Sequence, residues 1–238
     1  MTIQFANIQW NESINFKYTP YSLDFNDVYF NSVNGLQETE YVFIEHNQLK
    51  ARFKSLDQAT FTIIETGFGT GLNFLAVASH WLALAPHSAQ LHYISTEKYP
   101  LKLADLIRAQ NSWPQFSLIA SELTQNYANL KAGNNIFNLA EGRIQLSLQV
   151  DDVLNVLTKT TSIADAWLLD GFAPAKNADM WSSELFTHIA RLSKTGSTFA
   201  TFTSAGAVRR GLQAVGFDVK KQAGFGKKRE MLNGVFIK

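Results

Sequence analysis

Acidic residues stand where four successive apolar, β-rich runs give out, and they define the chemistry open to this chain. Glu65 opens the turn ETGFGTG, which joins the run FTIIE to the helical stretch LNFLAVASHWLALA. Gly67, Gly69 and Gly71 permit a tight turn there and close backbone approach to a nucleotide-like ligand. Such glycine spacing also serves NAD enzymes, or merely packs a helix on a strand, so the leading acid carries the distinction. Pyrophosphate favours a helix N-terminus free of carboxylates, whereas S-adenosylmethionine has no phosphate and offers an ammonium and a sulfonium to an acid. Glu65 therefore favours the methyl donor. Glu97 ends LHYISTE, where an acid can accept hydrogen bonds from ribose hydroxyls. Asp151 and Asp152 follow RIQLSLQV, where a carboxylate can face an adenine amino group or simply cap the next helix. Ligands of open α/β sheets bind outside the carboxyl ends of the strands, so Glu65, Glu97 and Asp152 are expected to face one crevice.

The fourth run, DAWLLDGF, delivers Asp170 to the same crevice, with Phe172 and Pro174 following in DGFAPAKNADMW. This turn resembles the acid, proline and aromatic turn of methyltransferases that act on amino nitrogen. Methyl transfer to nitrogen needs an exposed lone pair in line with the sulfonium methyl group, and orientation supplies most of the rate. A primary amine is mostly protonated at neutral pH, so Asp170 could orient it and assist proton loss, or could only hold the turn. Near the C-terminus, GFGKKREML places Phe225, Lys227, Lys228 and Arg229 on a glycine-flanked tip suited to base stacking and phosphate contact, or to a solvated hairpin turn. Residues 207–238 hold eight Lys or Arg against two acids, and the rest of the chain holds 13 against 18, so a net charge of +1 conceals a basic end of +6 and a remainder of −5. That layout suits a protein presenting one end to a polyanion.

These residues need a scaffold, and the pattern behind them alternates strands with helices, as in a parallel sheet covered on both faces. Strands are expected at FTIIET, LHYISTE, RIQLSLQV, DAWLLDGF, GSTFATFT, FDVKKQ and GVFIK. Helices are expected at LNFLAVASHWLALA, LKLADLIRAQ, DDVLNVLTKT, SSELFTHIARLS and AGAVRRGLQAVG. No helix separates the last two strands, which predicts an antiparallel hairpin. Residues 61–238 are read as one α/β domain. Residues 1–60, with a strand-like YVFIEH, are read as an N-terminal extension over the cofactor mouth. Trp167 and Trp181 read as core aromatics.

The chain of 238 residues is 46% hydrophobic, enough to bury a full core. It has no cysteine, which removes disulfides, thiolate nucleophiles and cysteine metal sites. Its five histidines show no ligand spacing, so no metal is expected. No apolar run approaches the roughly 20 residues that cross a bilayer, and the first residues lack the layout of a secretory signal, which places the chain in the cytoplasm.

Taken in order, DVYFNS, ETGFGTGLNFL, STEKYPL, DAWLLDGFAPAKNADMW and GFGKKREML resemble the methyltransferase domain of the bifunctional tRNA 5-methylaminomethyl-2-thiouridine biosynthesis proteins, the MnmC type. The resemblance covers nearly the whole chain, and DGFAPAKNADMW is its most specific part. It implies a class I methyltransferase fold, a Rossmann-like seven-stranded sheet with an antiparallel last strand. It also implies methylation of the aminomethyl nitrogen of a wobble uridine, with S-adenosylmethionine as donor and the tRNA anticodon region as partner. By position it implies that Tyr29, Glu65, Gly67, Gly69, Glu97, Lys98, Asp152 and Asp170 line the cofactor site, with Asp170 nearest the amine. The bifunctional form continues into an FAD-dependent oxidoreductase. This sequence holds no second dinucleotide turn, so FAD is expected only if such a domain lies outside it. A methyltransferase acting on a small-molecule or protein amine, and a non-catalytic RNA-binding module, remain as alternatives.

Overall fold

The computed structural model describes residues 2–11, 19–30 and 34–238. Tyr18, and Asn31 and Ser32 of DVYFNS, lie outside the described residues. The chain starts with a small antiparallel sheet of β1 (Ile8–Asn11), β2 (Thr19–Ser22) and β3 (Asp27–Val28). Next come α1 (Gly35–Thr39), a π-helical turn (Glu40–Glu45) and α2 (Leu49–Lys54). The π-helical turn occupies the stretch expected as a strand. Val42, Phe43 and Ile44 are all buried, and a short apolar run of this kind fits a buried helix as well as a buried strand. Packing decided between them, because these residues and Leu49 and Phe53 of α2 fill one side of the main core.

The alternating part follows the expected order, with a helix, Ser117–Tyr127, and a strand, Gly133–Leu139, added between the second and third expected strands. It comprises β4 (Thr60–Glu65), α3 (Leu72–Leu84), β5 (Gln90–Thr96), α4 (Leu103–Gln110), α5 (Ser117–Tyr127), β6 (Gly133–Leu139) and β7 (Ile144–Val150). Then come α6 (Val153–Lys159), β8 (Ala164–Leu168), α7 (Ser183–Arg191), β9 (Ser193–Thr201), α8 (Gly206–Val215), β10 (Phe217–Ala223) and β11 (Glu230–Phe236). The main sheet has the order β10-β11-β9-β8-β4-β5-β7-β6, eight strands where seven were expected. The additional one is β6, whose NNIFNL alternates buried and exposed residues and pairs antiparallel with β7 at the far edge. From β7 to β9 the strands are parallel, and β11 inserts antiparallel between β9 and β10, so the expected terminal hairpin is present.

Successive side chains of a strand point to opposite faces, and the core divides accordingly. Ile63 and Leu168 belong to the cluster under α3, whereas Ile64 and Trp167 belong to the cluster under α7 and α8. Helix α3 is buried without a break from Leu72 to Ala78, because it lies between the sheet and the N-terminal helices. Trp81 anchors it with ring contacts to Phe53 at 5.1 Å and Phe61 at 6.4 Å. Caps set the helix ends: Asp152 accepts from the Leu154 N–H, Ser182 from the Leu185 N–H, and Gly216 closes α8 with a φ of 116°. The crossover reverses direction between β4 and β8, and the carboxyl ends of β4, β5, β7 and β8 therefore open on one crevice. Among the described residues no helix is long and apolar enough to cross a membrane.

Candidate active site

Three loops are tied together at the switch point. Thr66, directly after β4, donates its hydroxyl to the Asp170 carbonyl at 2.6 Å, Thr96 donates its hydroxyl to the Thr66 carbonyl at 2.9 Å, and the Phe68 N–H reaches the Thr96 carbonyl at 3.0 Å. Gly67 lets the two loops approach closely, since a Cβ there would sit 3.2 Å from the Asp170 carbonyl oxygen, a tight contact. Gly71, with a φ of 74°, turns the chain into α3. The loops surround a cavity of about 680 Å³, within the range of small-molecule sites. Its wall includes Gly67, Gly69, Glu97, Lys98, Asp151, Asp152, Asp170 and Phe172. The N-terminal segment adds Phe25, Asp27, Tyr29, Glu38 and Thr39. Phe172 stacks on Phe25 at 4.6 Å and meets Tyr29 edge-on at 5.3 Å, which makes an aromatic side to the cavity.

The charges on this wall are unbalanced. Seven carboxylates face three lysines. Each lysine is already paired: Lys98 with Asp152 at 3.0 Å, Lys176 with Asp27 at 3.1 Å and Lys228 with Glu38 at 2.6 Å. Glu97, Asp151, Asp170 and Asp179 have no ion-pair partner among the described residues. Burial drives the Glu97 carboxyl up to about 7, although the Gly69 and Tyr99 N–H groups bond its two oxygens at 2.8 and 3.0 Å. Burial likewise drives Asp170 up to about 6, against the opposing Gly171 N–H and Asn73 amide. Asp151 lies below the usual carboxylate range because Asn155 donates to it. Burial and the Glu97 charge raise the Tyr29 phenol.

Such a site attracts a cation and repels a phosphate. The Gly69 N–H, which would cradle a pyrophosphate, is occupied by Glu97. S-adenosylmethionine, with one net positive charge and no phosphate, fits these donors and acceptors. Glu97 retains lone pairs for ribose hydroxyls. Asp152 caps α6 through Oδ1, one of the two roles open to it from the sequence, and its Oδ2 binds Lys98 on the cavity wall.

Glu65 departs from the expectation that it faces the crevice. It is 0% exposed and absent from the cavity wall. As the last residue of β4 it shares the parity of Ile63 and points beneath α3. There the Asn73 amide donates to its Oε1 at 3.0 Å, and its Oε2 lies 2.6 Å from the Ser95 hydroxyl. Burial raises its carboxyl to about 8, so it is mainly neutral at pH 7. Gly71, Pro174, Phe225, Lys227 and Arg229 also lie off the cavity wall. Phe225 is half-buried and packs near Tyr41 at 5.9 Å. Lys228 is on the wall, bonded to Glu38 and placed 4.3 Å over the Phe202 ring. Lys227 and Arg229 are exposed on the tip, with no ion pair among the described residues. Trp167 and Trp181 are core residues, as expected. Nothing in the sequence pattern singles out Glu38, Phe25 or Phe202. Asn73 did leave a signal, as one polar residue inside the apolar run LNFLAVA.

Residues 114–236 match the family profile described as S-adenosyl-L-methionine-dependent methyltransferase. The chain belongs to this family. Over 97% of its length it is 49% identical to the tRNA 5-methylaminomethyl-2-thiouridine biosynthesis bifunctional protein MnmC of Methylobacillus flagellatus, covering 35% of that protein. It is 48% identical to the protein of the same name from Chromobacterium violaceum, over 98% of this chain and 35% of that one. The chain thus spans about a third of the length of the curated relatives it matches. The crystal structure of MNMC2 from Aquifex aeolicus superposes with a TM-score of 0.72 at 19% identity, over 97% of this chain and 70% of that one, a likeness of fold. The resemblance read from the five motifs and the class I methyltransferase fold both agree with these matches, with β6 as an added edge strand.

Proposed function

We propose that this methyltransferase transfers a methyl group to the amine of 5-aminomethyl-2-thiouridine at the tRNA wobble position, giving 5-methylaminomethyl-2-thiouridine. The observation that carries the reading is Asp170, an acid just past β8 without an ion-pair partner among the described residues, held between the Gly171 N–H and the Asn73 amide on the wall of a carboxylate-rich cavity. The names of the curated relatives give the nucleoside formed, 5-methylaminomethyl-2-thiouridine in tRNA, removal of whose N-methyl group leaves the aminomethyl substrate, and the chemistry of the wall accords with a cationic amine beside a cationic donor.

When bound, S-adenosylmethionine supplies an electrophilic methyl group on its sulfonium. Glu97 and Asp152 hold the ribose and adenine side, with Asp151 and Lys98 beside them. Asp170 draws in the substrate ammonium, accepts its proton and leaves the nitrogen lone pair free. That lone pair would take the methyl group the bound donor supplies, the electron pair of the carbon–sulfur bond leaving with the neutral thioether product. Asp170 then releases the proton it took to solvent, and the product leaves as the secondary ammonium. Phe25, Tyr29 and Phe172 exclude water and hold the uracil ring. Because the cavity is recessed, the wobble nucleotide must leave its stack to reach it. A complex with that base still stacked would contradict this step. Lys227 and Arg229 contact the phosphates of the anticodon region, with Phe225 and Pro174 flanking them. On this reading the protein works in the cytoplasm, and the rest of the relatives' length corresponds to the FAD-dependent oxidoreductase implied by the resemblance, a fused partner that acts before this step.

The test is transfer of labelled methyl from S-adenosylmethionine to tRNA carrying 5-aminomethyl-2-thiouridine, with unmodified tRNA as control and Asp170→Ala as variant. Incorporation confined to the aminomethylated tRNA and reduced at least about 100-fold in the variant supports the reading. No incorporation by a protein that binds the donor overturns it and moves the substrate to another amine.

A further inference from the structure

Asn73 sits behind Asp170 with every polar atom engaged. Its amide nitrogen has two hydrogens, one directed to Asp170 Oδ2 at 2.7 Å and the other to Glu65 Oε1 at 3.0 Å. Its carbonyl accepts the Thr39 hydroxyl at 2.9 Å. Thr39, Asn73 and Glu65 are 4%, 6% and 0% exposed, so water does not substitute for these bonds. The amide has one workable orientation, because flipping it would turn its oxygen toward two carboxyl groups. With the Gly171 N–H on Oδ1, each Asp170 oxygen receives one protein donor and keeps one acceptor direction for a ligand.

We propose that Asn73 is the positioning residue of this site, aiming the Asp170 carboxylate at the amine and, through Thr39, making that aim depend on helix α1 of the N-terminal segment. The proposal rests on the amine-methylation reading above. Two carboxyl groups sharing one neutral donor do not both ionise readily, and the charge settles on the one nearer solvent. Glu65 is sealed under α3 with Ser95, whereas Asp170 opens on the cavity. Four other groups bear on the pair: Tyr93 from β5, Glu38 from α1, Lys228 from the β10–β11 loop, and the Gly171 N–H. Glu38 and Lys228 neutralise each other at 2.6 Å, which leaves the amide as the contact that joins the two acids, with the Gly171 N–H on Asp170 alone and the Ser95 hydroxyl on Glu65 alone.

The experiment follows carboxyl carbon signals of aspartate-labelled, ligand-free protein against pH by NMR, with Asp170→Asn to identify the Asp170 signal. In the wild type it titrates near 6. Asn73→Ala raises that midpoint by about one pH unit, the worth of one hydrogen bond to a charged group. Thr39→Val, which keeps the packing, raises it by a smaller amount and carries the test if Asn73→Ala does not fold. The acid limb of the kcat–pH profile moves by the same amount, while KM for S-adenosylmethionine stays within about twofold. A midpoint unchanged in a folded variant, or a rate loss equal at every pH, overturns the proposal. A shifted midpoint in a protein that does not methylate aminomethylated tRNA keeps the hold of Asn73 on Asp170 and overturns the substrate reading alone.

Discussion

Replacing Glu65 with glutamine tests whether a neutral acid lies beneath the active site. Glu65 is 0% exposed, and its carboxyl stands at about 8 against an ordinary 4.5, with burial as the main cause and the Ser95 and Asn73 bonds in partial opposition. A carboxyl raised on folding lets the native state bind a proton that the unfolded chain has released. Its contribution to stability is fully present below the unfolded value, falls as pH rises from about 4.5, and is gone above about 8. At about 1.4 kcal/mol per pH unit, the window amounts to on the order of 5 kcal/mol at most, and water penetration reduces it. Glutamine resembles the neutral acid in shape. Its carbonyl can take the Asn73 hydrogen while its amide faces a Ser95 hydroxyl that can turn to accept. Urea denaturation of ligand-free wild type and Glu65→Gln at several pH values cancels the other titrating groups. The variant should be close to wild type near pH 5 and gain on it by about 1 kcal/mol per pH unit up to about pH 8. Parallel curves would mean that Glu65 is ionised in the native state, and the placement of the charge on Asp170 would fail with it.

Three further outcomes are expected. Binding of S-adenosylmethionine should release protons near pH 6.5, because a cation favours the ionised forms of Asp170 and Glu97, at about 6 and about 7 without it; affinity then rises with pH through this window, and less so for neutral S-adenosylhomocysteine. Calorimetry in buffers of different ionisation enthalpy measures this, and proton uptake would contradict it. Reversing charge at Lys227 and Arg229 should weaken tRNA binding uniformly across sequences and lower the salt slope by about one to two, with donor affinity unchanged; an unaltered slope would remove the tip from the interface. Gly67→Ala forces a Cβ to 3.2 Å from the Asp170 carbonyl, so donor binding measured by fluorescence or calorimetry should weaken about tenfold or more, and a wild-type affinity would show that the two loops separate easily.

Much of the fold was legible because its local signals agree with its tertiary role. The alternation of β-rich runs with helical runs, the glycine turn after β4 and the acids after β5, β7 and β8 are set by the needs of a parallel sheet with a ligand at its carboxyl edge. The π-helical turn and β6 were not legible. The apolar run YVFIEH is compatible with either buried helix or strand, and NNIFNL is a polar edge strand whose partner, β7, alone makes it one.

For the site, residue types and spacing determined which groups gather at one edge of the sheet and which kind of cofactor they suit, since charge and strand order are properties of the chain itself. The direction of each side chain was decided only by the folded structure. Parity along β4 turned Glu65 under α3, the N-terminal segment brought Glu38 and Thr39 to the wall from far away in sequence, and Lys228 found Glu38 across 190 residues. Those contacts depend on packing between distant segments, and no local pattern encodes them. They are what separates an acid that meets the ligand from an acid that supports it from below.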